Sequence, residues 1–171
     1  KDVIVINTTD NTTSVLRNTS IPGIMNSGSL AAKVDFTVGT SPSAVSIADF
    51  DGDGKNDIAV GNNGGSSVSV LRNTSVAGYI NAGSFAAKVD FNASSSLGDI
   101  AVTDVDGDNK IDIITTGLVS NTISVLRNTS VPGSITAGSF AAKADFATGV
   151  FPKGVSVSDV DGDGKTDIVV T

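Results

Sequence analysis

Asp49-Phe50-Asp51-Gly52-Asp53-Gly54-Lys55-Asn56-Asp57 runs straight into Ile58-Ala59-Val60-Gly61, and this junction of an acidic loop with a short β-branched run decides the fold. The same loop returns at residues 104–112 and 159–167, so Asp49, Asp51, Asp53 and Asp57 are matched by Asp104, Asp106, Asp108 and Asp112 and by Asp159, Asp161, Asp163 and Asp167, each set 55 residues after the last. Carboxylates this closely spaced repel one another, and a hard cation taking oxygen ligands is the natural compensation. Ligands at loop positions 1, 3 and 5 converge only if the chain curls tightly, which positive φ at positions 4 and 6 allows. Gly52 and Gly54, Gly107 and Asn109, and Gly162 and Gly164 fill those positions; Asn tolerates the left-handed region better than most residues. Lys55, Lys110 and Lys165 at position 7 then offer a backbone carbonyl, and position 9 supplies the last carboxylate. The expectation is about three calcium ions, one per loop.

An EF-hand carries a glutamate at position 12 and a helix on either side. Position 12 here is Val60, Thr115 or Val170, and the chain has no glutamate. The segments after the loops are DIAVG, DIITT and DIVVT, which favour strands. Outside the loops the period persists: SVLRNTS recurs at 14–20, 69–75 and 124–130, and GSLAAKVDF at 28–36 returns with small changes at 83–91 and 138–146. The chain divides into periods 2–56, 57–111 and 112–166, with a leftover strand at 167–171. In the second period, strands are expected at Asp57–Gly61, Ser67–Arg72, Phe85–Phe91 and Asp99–Thr103, with a long loop or wide hairpin between the middle two. Val68 and Val70 face one way and Ser69 and Leu71 the other, so that strand should be covered on both sides. A repeated four-stranded antiparallel unit that buries its faces only by stacking on neighbours describes a blade of a β-propeller.

The pattern SVSIADFDGDGKNDIAVGN, followed by SVSVLRNTS and FAAKVDF, resembles the FG-GAP (or VCBS) repeat of integrin α-subunit propellers and many secreted bacterial proteins. The resemblance covers essentially the whole chain. It implies an all-β fold of tandem four-stranded blades, with calcium in the loop between the first and second strands of a blade and the twelve aspartates above as ligands. Ile58 to Gly61 reads IAVG, a poor match to the FG and GAP signatures themselves. First and last segments, DVIVI and DIVVT, are the same strand of the repeat, so the chain is expected to be a unit or piece of a longer array.

Of the 171 residues, 39% are hydrophobic, drawn mainly from Val, Ile, Ala and Leu, which suits small aliphatic strands in layers. The formal charge is −7, and three divalent ions would add +6 to leave about −1, so the acidity is mostly metal site. Basic residues are few and scattered, which argues against nucleic-acid partners and anionic membranes. No apolar run is long enough to span a membrane. With neither His, Cys, Glu nor Trp, the chain is poor in acid–base and nucleophilic chemistry, and no catalytic residue is expected.

Sequons begin at Asn7, Asn11, Asn18, Asn73, Asn92 and Asn128, candidate glycan sites in a eukaryotic secretory pathway and otherwise ordinary strand-ending residues. Arg17, Arg72 and Arg127 are expected to pair with Asp35, Asp90 and Asp145 at strand ends, and Phe36, Phe91 and Phe146 to pack between blades. Asp10 and Asp99 break the repeat and read as exposed loop variation. Calcium-loop modules of low affinity fill outside cells, so the leading expectation is an extracellular or cell-surface calcium-binding scaffold for adhesion, meeting a protein or glycan ligand or further copies of itself. The alternatives are a subunit of a head-to-tail filament, a carbohydrate-binding propeller, for which aromatic residues are scarce, and the non-catalytic propeller of an enzyme.

Overall fold

The computed structural model describes residues 1–171, all of it strand, turn and loop. Two sheets are complete. One is built from β4 (Pro42–Ala48), β5 (Asp57–Asn62), β6 (Ser67–Leu71) and β7 (Val89–Asn92), paired antiparallel in that order. The next contains β8 (Leu97–Thr103), β9 (Asp112–Gly117), β10 (Thr122–Leu126) and β11 (Ala144–Ala147) in the same order. They are flanked by a three-stranded sheet of β1 (Val3–Asn7), β2 (Thr12–Leu16) and β3 (Val34–Thr37), and by the pair β12 (Val155–Ser158) and β13 (Asp167–Val170). The first strands of successive sheets pack on one another, β4 against β8 and β8 against β12, as in blades of β-propeller type.

The sheets are staggered against the sequence period. A blade begins with the strand before an acidic loop, so Asp99–Thr103, which closes the period 57–111, opens the next sheet as part of β8. The sequence expectation also overextends the third strand. Pairing in β7 covers only Val89–Asn92, and Phe85 meets β6's continuation through a single bridge to Asn73. The reason is that the chain beyond Leu71 leaves the ladder to carry Arg72 and Asn73 toward the acidic loop, where the Arg72 carbonyl, accepting from Ala86 N at 2.8 Å, still holds the outgoing chain. The long connection between β6 and β7 is thus a wide hairpin, pinned again where Thr74 N donates to the Ser84 carbonyl at 2.9 Å.

Cores lie between sheets. β5 is buried throughout: Ile58 and Val60 join Val15, Phe36, Val38 and Leu71 on one face, while Ala59 faces a larger cluster containing Val68, Val70, Phe91, Leu97, Ile113, Leu126 and Phe140. This is period-two alternation serving two apolar neighbours, which is why the strand reads as a continuous hydrophobic run. Phe91 and Phe140 meet edge-to-face across the blades with centroids 4.8 Å apart, and Phe36 does the same with Phe85 at 5.0 Å. Phe146 departs from the expected pattern. The β12–β13 pair offers no counterpart of Phe140, and Phe146 is 54% exposed.

Candidate metal centre

Each acidic loop joins the first strand of a sheet to the second: residues 49–57 between β4 and β5, 104–112 between β8 and β9, and 159–167 between β12 and β13. The curl is set by backbone N–H groups donating into the carboxylates. Asp49 accepts from Asp53 N and Gly54 N, Asp51 from Asp53 N, and Asp53 from Lys55 N, at 2.8 to 3.2 Å. Asp104, Asp106 and Asp108 repeat the scheme, as do Asp159, Asp161 and Asp163 with small differences. Gly54 at φ 85° and Asn109 at φ 65° occupy the same left-handed position, the substitution that Asn tolerates.

These turns bring carboxylate oxygens of Asp49, Asp51 and Asp53 within 4.8 Å of one another, and likewise those of Asp104, Asp106 and Asp108 and of Asp159, Asp161 and Asp167. The ninth-position residues of the first two loops stand slightly apart. Asp57 is fully buried and accepts from Phe50 N at 3.0 Å and Asn73 N at 2.7 Å, one to each oxygen. Asp112 does the same with Val105 N at 2.9 Å and Asn128 N at 2.8 Å. Asp2, one period before Asp57, accepts from Asn18 N at 2.8 Å. Asp57 and Asp112 therefore tie the start of the acidic loop to the end of the following hairpin. Burial pushes Asp57 up to about 6, against the pull of its two N–H donors and with the help of Asp51 and Asp49. Asp112 is raised for the same reason.

The arginines do not pair as expected. Arg72 donates through Nε to Asp51 Oδ2 and through Nη2 to Asp53 Oδ2 at 3.0 Å, inside the first loop. Arg127 faces Asp106 and Asp108 at 3.8 and 3.9 Å. Asp35, Asp90 and Asp145 are instead held by the near lysines Lys33, Lys88 and Lys143, two residues back and just ahead of the strand, and by the buried hydroxyls of Ser14, Ser69 and Ser124 at 2.5 Å. Lys33 and Ser14 hold Asp35 below the usual carboxylate range, and Lys143 and Ser124 do so for Asp145. In chain entering a strand the residue at i−2 comes to the same side, so the local lysine wins over an arginine that leaves the sheet.

Asp10 lies in an exposed turn, but Asp99 is not loop variation. It sits in β8, half-buried, and accepts from Val155 N of the next sheet at 3.1 Å. The sequon asparagines also differ. Asn92 is exposed and Asn7, Asn11, Asn18 and Asn73 are half-buried, while Asn128 is 1% exposed and donates through Nδ2 to the Phe50 carbonyl at 2.8 Å and the Ile111 carbonyl at 2.9 Å. Ser130 Oγ donates to the same Phe50 carbonyl at 2.8 Å, and Gly133 N to the Asp51 carbonyl at 2.9 Å. The hairpin of one blade thus grips the acidic loop of the blade before it. Sequence reading missed this grip and the role of Arg72. The available signal was that Arg72 and Asn73 stand 15 and 16 residues after Asp57, and Arg127 and Asn128 at the same offsets after Asp112.

The donor set is all oxygen, dense in carboxylate and free of His and Cys, so it fits a hard cation such as calcium and not zinc. Asp49, Asp51 and Asp53, Asp104, Asp106 and Asp108, and Asp159, Asp161 and Asp167 would hold the ions, which would supply positive charge to loops that otherwise repel themselves. Fold and loop together define a class: a tandem-blade β protein with an acidic cation loop in each blade. A family model described as FG-GAP-like repeat matches residues 1–60, 49–115 and 104–170, and the chain belongs to that family. A comparison with curated proteins gave no match.

Proposed function

We propose that this chain is a calcium-binding scaffold of extracellular or cell-surface adhesion, in which each ion stiffens the connection between the first two strands of a blade. The observation that carries the reading is the convergence of three aspartates within 4.8 Å at the same place in three successive sheets. Extracellular placement is supported by the family, whose repeats are typical of extracellular proteins, and by a loop chemistry suited to the calcium levels found there. The protein has no helix long and apolar enough to cross a membrane. The role assigned is mechanical and organisational, not catalytic: the dense carboxylates are engaged with backbone N–H groups and with Arg72. Partners would be protein or glycan surfaces, or further copies of the chain.

Calorimetric titration with CaCl2 and thermal melts with and without EDTA test the reading. With affinities of about 10⁻⁴ to 10⁻³ M, about 10 mM calcium stabilises each site by about 1.4 to 2.7 kcal/mol. Three sites then raise Tm by roughly 10 to 30 °C, at about 2 to 4 °C per kcal/mol for a chain of this size. A melt that does not move between excess calcium and excess EDTA refutes the proposal.

A further inference from the structure

Successive sheets are joined by short crossovers, residues 38–41 between β3 and β4 and residues 93–96 between β7 and β8, and each crossover lies against the second strand of the sheet it enters. At the first junction Gly39 N donates to Asn62 Oδ1, at the end of β5, at 3.0 Å and to Ser69 Oγ at 3.1 Å, while Asn62 Nδ2 donates to Ser69 Oγ at 2.9 Å. Asn62 is fully buried. A Cβ on Gly39 would stand 2.5 Å from Asn62 Cγ and Nδ2, well inside the contact optimum of about 3.5 to 4.0 Å. One period on, the small and large residues change places: Ser94 stands where Gly39 stood, and Gly117 where Asn62 stood. Ser94 Oγ lies 2.7 Å from the hydroxyl of Ser124, the counterpart of Ser69, and 3.0 Å from Thr115 Oγ1. A Cβ on Gly117 would stand 2.9 Å from Ser94 Cβ, and Ser120 Oγ crowds the same point, where Gly65 leaves room at the first junction. Neither Gly39 nor Gly117 has positive φ, so the backbone permits a side chain at both and only the residues facing them forbid it.

Both arrangements perform one task. Ser69 and Ser124 are fully buried and donate their hydroxyl protons to Asp90 and Asp145 at 2.5 Å, so each accepts a hydrogen bond in return. At the first junction the side-chain donor is Asn62, from the strand of the sheet being entered; at the second it is Ser94, from the crossover. We propose that this position is a blade-matching key: a glycine crossover fits a sheet whose second strand ends in Asn, a serine crossover fits one that ends in Gly, and neighbours of nearly equal sequence are therefore not interchangeable. Serine against Asn puts two side chains in one space. Glycine against Gly removes the side-chain donor to the buried serine and opens a void. The partner each key recognises is a blade of this same repeat bearing the complementary residue. The key is independent of the acidic loops and of whether they hold an ion.

The test is a double-mutant cycle on the full chain, read by urea titration. Gly39→Ser raises the unfolding equilibrium constant by about 5- to 150-fold, the range for an overpacked core. Asn62→Gly raises it by about 30-fold through the lost hydrogen bonds to Ser67 and Ser69. Gly39→Ser combined with Asn62→Gly rebuilds the second junction's pair at the first and is more stable than either single variant. A double variant that does not exceed both singles, as independent losses require, overturns the inference. If Gly39→Ser does not fold, a double variant that folds supports the key and one that stays unfolded overturns it. The reciprocal exchange applies at the second junction: Gly117→Asn with Ser120→Gly destabilises the chain, and adding Ser94→Gly relieves the loss. Absence of that relief counts equally against the key.

Discussion

Asn73 and Asn128 occupy the same place in successive repeats, but within residues 1–171 only Asn128 has the acidic loop of a preceding blade to bond, so replacing each with alanine should have unequal effects in this chain. Asn128→Ala removes three hydrogen bonds in a site that is 1% exposed: those to the Phe50 and Ile111 carbonyls at 2.8 and 2.9 Å, and the one its Oδ1 accepts from Ser130 N at 2.8 Å. At about 1 kcal/mol each, the loss is about 3 kcal/mol. The Phe50 carbonyl keeps Ser130 Oγ, which limits the cost of leaving it without Asn128. Asn73→Ala removes bonds to the Asn56 carbonyl at 2.8 Å and from Ser75 N at 2.9 Å, both on a half-buried residue where water substitutes. Its cost is about 1 kcal/mol. Thermal melts in saturating calcium should therefore fall by roughly 6 to 12 °C for Asn128→Ala and roughly 2 to 4 °C for Asn73→Ala. Equal losses would refute the claim that the hairpin of one blade is bonded to the acidic loop of the blade before it.

Two further perturbations address the core and the strand-surface charges. Phe140 packs edge-to-face on both Phe91 and Phe50, at 4.8 and 5.9 Å, so Phe140→Ala should cost about 3 to 5 kcal/mol by denaturant titration, and a loss below about 1 kcal/mol would show that the blades do not share this core. Asp35 and Asp145 are depressed in the folded state by lysine and serine partners, so their contribution is present above the ordinary carboxylate value of about 3.9 and is lost as pH falls below it toward the folded value. The double variant Asp35→Asn, Asp145→Asn should lose less stability than the native chain between about pH 5 and about pH 3, and identical acid sensitivity of the two would count against those pairs.

Strand chemistry and the 55-residue period made the sheets readable in advance, because β5 and β6 are buried on both faces and carry apolar residues at every step that matters. The loop turns were readable too, since glycine or asparagine stands at each left-handed position. Arg72 was not. Its partner is chosen by where the chain goes after leaving β6, a tertiary fact, whereas Asp90 two residues from Lys88 is satisfied locally. Asp99 was misread for a related reason: a residue that departs from the repeat looks expendable until the neighbouring strand β12 is seen to donate to it. The asparagine grip was hidden because Asn128 bonds the Phe50 carbonyl 78 residues back, in the blade before, a contact that spacing within one repeat does not reveal.

The offset between sheet and sequence period has a genetic corollary. Since a blade takes its opening strand from the tail of one 55-residue period and its remaining strands from the next, copying that length of gene from any starting point inserts one whole blade, with strands, loop and grip all in phase. Unequal crossover between near-identical repeats would then lengthen or shorten the array without ever cutting a sheet.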